Sequence, residues 1–155
     1  MKEKLMKELE IKRDEVYEEI MKEMTDKELY RWKRVLWDRN ELKVKAQRTE
    51  MGDPDFDRYM EAYRAIERTM IMVLKDELEH KVLRYNLYDW FYGILDDERG
   101  EGVKIEVENG TDVLDNFYNI TTITCSDGRI YKYTGNTLRL TEYDKDGNVK
   151  HYISC

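Results

Sequence analysis

The spacing of apolar residues changes once along the chain, close to Gly102. Before that point apolar side chains recur every three or four residues, which is the period of an amphipathic helix. After it they alternate with polar side chains, beginning with "VKIEVE" at residues 103–108, as in half-buried strands. Helices followed by strands predict the α+β class, with a helical region over residues 1–99 and an antiparallel sheet over 100–155. One layered domain and a helical arm with a small sheet are both compatible with this order.

Three helices are predicted in the first region, the first two long and charged. Helix 1 covers residues 2–24. Thr25 and Glu28 fit a capping box, in which each side chain accepts a hydrogen bond from the other residue's backbone, so helix 2 begins there. Helix 2 ends before "GDP" at residues 52–54, where the aspartate can cap a third helix and the proline suits its first position.

Helix 3 is predicted to follow an apolar stripe from Phe56 to Leu78. Within it "TMIMVL", residues 69–74, is apolar nearly all round, and we expect its middle to be the most buried helix segment. The aromatic sequence "YNLYDWFYGIL" follows at residues 85–95. Gly93 or Gly100 is expected to stop the helix.

The second region is predicted to be an antiparallel meander of four or five strands. Its segments are rich in β-branched and aromatic residues, and turn signals separate them. The strand segments are residues 103–108, 118–125, 129–134, 138–144 and 149–154, and the turn signals are Asn109-Gly110, Ser126-Asp127-Gly128, Gly135-Asn136 and Asp146-Gly147.

Metal and catalytic patterns are weak, and we predict no catalytic residue, metal ligand or cofactor. Glu77 and His80 have the spacing of di-iron helical bundles, but the second pair is missing because the other histidine, His151, lies in a predicted strand. Cys125 and His151 could form a nucleophilic pair only if their strands were neighbours. "YDKDGN", residues 143–148, has the opening spacing of a calcium loop but lacks its later glycine and glutamate, so a hairpin turn is predicted.

Four charged residues fall inside the apolar stripes of the predicted helices. They are Arg13 in helix 1, Arg39 in helix 2, and Glu67 and Glu77 in helix 3. We predict that they form ion pairs between helices, which fix the helix register more than they stabilise the fold. A functional cluster is the alternative.

Charge is distributed unevenly along an acidic chain. The net charge is −7 over 155 residues, yet residues 27–48 carry eight basic and three acidic side chains. No signal peptide or membrane-spanning run is recognisable, and two cysteines are too few for a disulfide framework. The sequence therefore predicts a cytoplasmic protein that does not bind membranes.

The basic segment also has a second apolar stripe. Tyr30, Trp37 and Val44 follow one another at seven-residue intervals, roughly opposite Arg39. A helix that lined a single core would be polar there, so a second stripe predicts a second contact. The candidate partner-binding residues are Tyr30, Lys33, Arg34, Trp37, Lys45 and Arg48.

Three kinds of contact are open for this second stripe. Other helices or the sheet could cover it within the chain, with lysine and arginine stems lying over the aromatic rings. A different protein, or a second copy of this one, could use the aromatic residues as anchors. Nucleic acid could bind through phosphate contacts and base stacking, but the acidic segments on both sides would repel it.

In size, charge and α+β character the chain resembles small acidic proteins of phages and mobile elements, among them anti-CRISPR inhibitors. No motif carries this resemblance. It implies inhibition of a nucleic-acid enzyme in the host cytoplasm, with carboxylates in place of phosphates. Our prediction from the sequence is a non-enzymatic protein-binding module, with nucleic-acid binding through residues 27–48 and an enzyme with an unrecognised site as alternatives.

Overall fold

The computed structural model describes residues 2–50, 52–71, 76–96, 103–111, 117–135 and 137–155. These parts of the chain form helices first and strands afterwards, which confirms the predicted α+β class. The helices are α1 Lys2–Glu23, α2 Asp26–Arg48, α3 Pro54–Ile71 and α4 Asp76–Asp96. The strands are β1 Lys104–Thr111, β2 Phe117–Thr124, β3 Ile130–Thr134, β4 Arg139–Tyr143 and β5 Val149–Ser154.

The prediction of three helices is wrong, because the described residues contain four. The predicted third helix corresponds to α3 and α4 together. Residues 72–75, which separate them, contain neither glycine nor proline, so the apolar stripe continues and gives no stop signal. The expectation that the middle of "TMIMVL" is the most buried helix segment concerns side chains outside the described residues. Gly93 does not end α4, which continues to Asp96, and Gly100 also lies outside the described residues.

The start of α2 confirms the predicted capping box. The backbone N–H of Thr25 donates to the Glu28 carboxylate at 3.2 Å, and the backbone N–H of Glu28 donates to the Thr25 hydroxyl at 3.3 Å. The predicted start of α3 is confirmed as well, since the Asp53 carboxylate accepts a hydrogen bond from the N–H of Asp55 at 2.9 Å. Local side-chain chemistry therefore fixes where both helices begin.

By the density of its contacts the chain forms two compact units. The helical unit is Ile11–Asn86, and the sheet unit is Met1–Glu10 with Leu87–Cys155. In the helical unit an aromatic cluster joins three helices, because the Trp32 ring lies 5.5 Å from that of Tyr17 and 5.4 Å from that of Tyr85. Arg84 of α4 adds an ion pair to Glu19 of α1 at 3.6 Å.

The sheet unit contains a five-stranded sheet in the order β1-β2-β3-β4-β5, with every neighbouring pair antiparallel. This is the predicted meander. One face carries the buried side chains of alternate residues, and Trp90 and Phe91 of α4 pack on it. The Trp90 ring lies 5.9 Å from that of Tyr131, and the Phe91 ring lies 4.8 Å from that of Tyr133.

Two predicted turns are confirmed and one is wrong. Ser126-Asp127-Gly128 joins β2 to β3, and Asp146-Gly147 joins β4 to β5, with both glycines at positive φ. Asn109-Gly110 does not turn but lies within β1, where Asn109 is level with Asn119 of β2. The Asn119 side-chain amide donates to the Asn109 side-chain oxygen at 2.6 Å, so these polar side chains pair across the strands. Of the predicted Gly135-Asn136 turn, Asn136 lies outside the described residues.

The "YDKDGN" sequence is a hairpin turn, as predicted. The Asp144 carboxylate accepts hydrogen bonds from the backbone N–H groups of Asp146 and Asn148, both at 2.9 Å. The hydrogen bond from the Asn148 backbone, which favours the charged carboxylate, lowers the pKa of Asp144. The side chain that would open a calcium loop is therefore occupied by the turn itself.

Candidate partner-binding surface on helix α2

The inner face of α2 belongs to the core of the helical unit. Trp32 is 2% exposed, and Leu36, Arg39 and Ala46 are also buried. These residues are spaced by three, four or seven positions, so the 3.6-residue period of the helix brings them to one side. The expectation that Trp32 lies on the core stripe is confirmed.

Arg39 is the polar centre of this inner face and is fully buried. Its Nη1 donates to Glu67 Oε1 of α3 at 3.2 Å and to Asn86 Oδ1 of α4 at 2.5 Å. Its guanidinium carbon lies 5.4 Å from the ring centroid of Tyr63 and 5.9 Å from that of Tyr85. A buried cation is tolerated only with such partners, so α2, α3 and α4 are held in one register.

The prediction of an ion pair between helices is confirmed for Arg39 and Glu67. Arg13 has an ion pair with its neighbour Asp14 at 3.7 Å, within α1. The side chain of Glu77 lies outside the described residues. Asn86 was not predicted as a third member, because an asparagine in a helical sequence gives no signal that it will face a buried arginine.

The opposite face of α2 exposes the second stripe, which we call the outer seam: Tyr30, Trp37 and Val44. Tyr30 and Trp37 are each 67% exposed, and Val44 is 38% exposed. The described helices of this unit leave these side chains in solvent, so the alternative that other helices cover them is wrong for the outer seam. Two large aromatic side chains on one face of a folded helix therefore form an exposed apolar patch.

Polar and charged residues form two flanks beside the outer seam. Lys33, Asn40 and Gln47 each follow a seam residue by three positions, and Arg34, Glu41 and Arg48 each follow one by four. Residues with the same offset lie on the same side of the seam. All six predicted partner-binding residues, namely Tyr30, Lys33, Arg34, Trp37, Lys45 and Arg48, are exposed in the structure.

A groove between α2 and α3 adjoins the outer seam, with a volume of about 630 Å³. Its lining is partly apolar, and Tyr30 and Arg34 border both the groove and the seam. The apolar lining residues are Trp32, Val35, Ala65 and Ile66. The sequence pattern did not predict this groove. The signal that could have suggested it is the small side chain of Ala65 beside the large ones of α2.

Cys125 and His151 do not lie on neighbouring strands, which was the condition for a nucleophilic pair. Cys125 directly follows β2 and His151 lies in β5, and the strand order places β3 and β4 between them. Three strand spacings separate two such positions by about 14 Å. The requirement that their strands be neighbours is therefore not met.

A polar row that the sequence did not predict crosses the sheet, and two of its three members are buried. Tyr131, Glu142 and His151 are level with one another on β3, β4 and β5. Arg129 Nη1 donates to the Tyr131 hydroxyl at 3.0 Å. Burial, and then the nearby Glu142 carboxylate, raise the pKa of Tyr131 well above its ordinary value, so the phenol stays protonated. The His151 ring packs on Trp90 at 4.8 Å, so this row belongs to the packed face of the sheet.

Among the residues that the structure describes, no three His, Cys, Asp or Glu side chains are placed to hold a metal ion. Within the same residues, no helix has the length and apolar character needed to cross a membrane. No protein-family model, curated protein or solved structure matches the chain. The outer seam of α2 is therefore characterised by its own geometry and charge.

Proposed function

We propose that this chain is a non-enzymatic protein-binding module and that the outer seam of α2 is its binding surface. The observation that carries the proposal is the exposure of Trp37 and Tyr30, at 67% each, on a helix whose other face is packed. Tryptophan, tyrosine and arginine are the residues most enriched where interface free energy is concentrated. Trp37 is the middle residue of the seam, and Arg34 lies beside it at its rim.

The flanking charges indicate the chemistry of the partner. Lys33, Arg34, Lys45 and Arg48 are exposed around the seam. A protein surface that combines an apolar strip with at least one carboxylate would bury the aromatic rings and pair with one or more of these cations. Nucleic acid would also meet the cations, but the net charge of −7 repels a polyanion and Glu41 lies within the same surface.

Inhibition of a nucleic-acid enzyme by carboxylates that replace phosphates would use a different surface. The most charged candidate is α1, which carries eight acidic and six basic side chains. Interspersed lysines and arginines weaken a phosphate-like field, so α1 gives little support to this form of inhibition. An enzyme inhibited through contact with α2 remains within the proposal.

The test compares two exposed aromatic residues. The immobilised full chain is incubated with a nuclease-treated lysate of its source, and bound proteins are identified by cross-linking mass spectrometry. We expect the unfolding free energy of Trp37→Ala to differ from that of wild type by no more than about 0.5 kcal/mol, and we expect this variant to lose the bound partner. Tyr152→Ala, which changes an exposed tyrosine of β5, is the matched control and should keep it. Cross-links of the partner should map to Lys33 and Lys45.

Three outcomes would count against the proposal. Unfolding of the Trp37→Ala variant would show that the ring is part of the core after all. Equal capture by both variants would place the binding surface elsewhere. Direct binding to DNA or RNA that weakens steeply with salt and disappears in the Trp37→Ala variant would assign the seam to nucleic acid.

A further inference from the structure

The outer seam of α2 is symmetric about Trp37. Tyr30 and Val44 each lie seven residues from it, in opposite directions. Each seven-residue step turns the seam by only about 20° around the helix, so the three side chains lie along one line, with about 10 Å of helix rise between neighbours. If a second copy of the helix runs antiparallel to the first with the two Trp37 side chains level, Tyr30 of each copy lies level with Val44 of the other.

The charges on one flank are complementary in the same antiparallel arrangement. Arg34 lies three residues before Trp37 and Glu41 four residues after it, both on the flank four positions from the seam. In an antiparallel pair related by a twofold axis, each flank meets its own copy. Arg34 of one helix then lies beside Glu41 of the other, with about 1.5 Å between them along the axis. The axis makes two such ion pairs.

A parallel pair would be less favourable. There each flank meets the opposite flank at the same height, so Arg34 of one helix would lie beside Lys33 of the other. The antiparallel arrangement instead places Lys33 beside the side-chain amide of Asn40. It also places the two helix dipoles in opposite directions, with the positive end of each α2 beside the negative end of its partner.

We propose that the outer seam of α2 pairs with the outer seam of a second copy of this chain, antiparallel and with the twofold axis at Trp37. This inference rests on the proposed function and names the partner. The contact is small, because each copy contributes Trp37, Tyr30 and Val44 with their flanks, and two aromatic side chains offer about 150–250 Å² each. Interfaces below about 1,200 Å² in total are typical of weak, reversible association, so we expect a reversible dimer.

Both ends of the contact limit its strength. Arg48 lies eleven residues after Trp37 and Lys27 ten residues before it, on the same flank. The twofold axis therefore brings Arg48 of one helix near Lys27 of the other, a like-charge pair that Asp26 only partly offsets. Replacing Lys27 by glutamate converts this repulsion into attraction, which gives a substitution that should strengthen the dimer.

Sedimentation equilibrium of the full chain measures the pairing over roughly 10 μM to 1 mM, the range expected for a small interface. We expect wild type to show a monomer–dimer equilibrium. Arg34→Glu and Glu41→Arg should each weaken it about tenfold, or about 1.4 kcal/mol, and the double variant should restore it to within about threefold. Lys27→Glu should tighten it. Arg31→Glu, which changes a groove residue away from the seam, is the control and should leave it unchanged.

The result that overturns the pairing is a wild-type chain that stays monomeric to the highest concentration. A dimer that persists in the Trp37→Ala variant overturns it too, as does a double charge exchange that remains as weak as either single change. These failures are distinct from failure of the proposed function. A monomeric chain whose capture of another protein still depends on Trp37 would exclude the second copy as the partner and retain the seam as the binding surface.

Discussion

Removal of the Arg39 charge tests how much the buried ion pair with Glu67 contributes to the stability of the helical unit. Arg39→Met keeps a long side chain of similar shape but leaves the Glu67 carboxylate, whose side chain is only 4% exposed, without the guanidinium at 3.2 Å. Breaking a buried ion pair by removing one partner costs about 3–5 kcal/mol, because the remaining charge is buried without compensation. That is a large part of the total stability of about 5–15 kcal/mol expected for a domain. Urea denaturation followed by circular dichroism measures it.

The double variant Arg39→Met/Glu67→Leu separates the charges from the packing. With both charges gone, the remaining polar cost is that of Asn86, whose side-chain oxygen loses the donor at 2.5 Å. An unsatisfied buried acceptor costs about 1–3 kcal/mol. We therefore expect the double variant to be more stable than Arg39→Met alone, although it carries one more substitution.

An exposed ion pair on α3 supplies the control. Arg58 Nη2 lies 2.5 Å from Asp55 Oδ1, with the two side chains 74% and 48% exposed. Arg58→Met should change the unfolding free energy by less than about 1 kcal/mol, since solvent screens such pairs. If Arg39→Met lowers the unfolding free energy no more than Arg58→Met does, the buried ion pair does not have the role assigned to it. The same conclusion follows if the double variant costs as much as the sum of the Arg39→Met and Glu67→Leu single variants.

Three further predictions concern the capping box, the turns and the sheet. Thr25→Ala should lower the unfolding free energy by about 1 kcal/mol in urea titrations, because α2 loses its N-cap. Gly128→Ala should lower the unfolding free energy more than Gly147→Ala in the same assay. Both glycines have positive φ, but a Cβ at Gly128 would lie 3.1 Å from Lys145 Cβ, whereas a Cβ at Gly147 would meet nothing within 4 Å. Stability should fall as pH rises above about 10, because the unfolded chain then loses the phenolic proton of Tyr131 and the folded chain keeps it. Tyr131→Phe should reduce that fall in pH-dependent thermal unfolding.

Much of the fold could be predicted from the sequence because local rules determine it. The apolar period placed α1 and α2 within about two residues, and the capping box and the sequence "GDP" fixed two helix starts. Alternation and turn residues predicted an antiparallel meander, since short turns join neighbouring strands, and the structure supplies the strand order. The two stripes of α2 followed from the same arithmetic, with Trp32 on the core side, but only the structure shows that Trp37 on the other stripe is exposed.

The errors come from features that depend on distant parts of the chain. The separation of α3 from α4 has no glycine or proline to announce it. Asn109-Gly110 resembles a turn, but pairing with β2 continues through it. The groove beside α2 depends on how α3 packs, and the hydrogen bond from Arg39 to Asn86 joins residues 47 positions apart. No local pattern encodes contacts of that range.

The buried ion pair between Arg39 and Glu67 also helps to explain why α2 exposes its outer seam and not its inner face. A helix with apolar stripes on both sides could turn either one into the core, and buried charges help to distinguish the two faces. Turning the outer seam inward would move Arg39 away from Glu67 and leave that carboxylate buried without its guanidinium, at a cost of about 3–5 kcal/mol. Arg39 therefore selects the face that meets solvent. It follows that Arg39→Met/Glu67→Leu, although stable, should bury Trp37 in part of its molecules and weaken partner binding. Binding that is unchanged in a folded double variant would show that packing alone orients the helix.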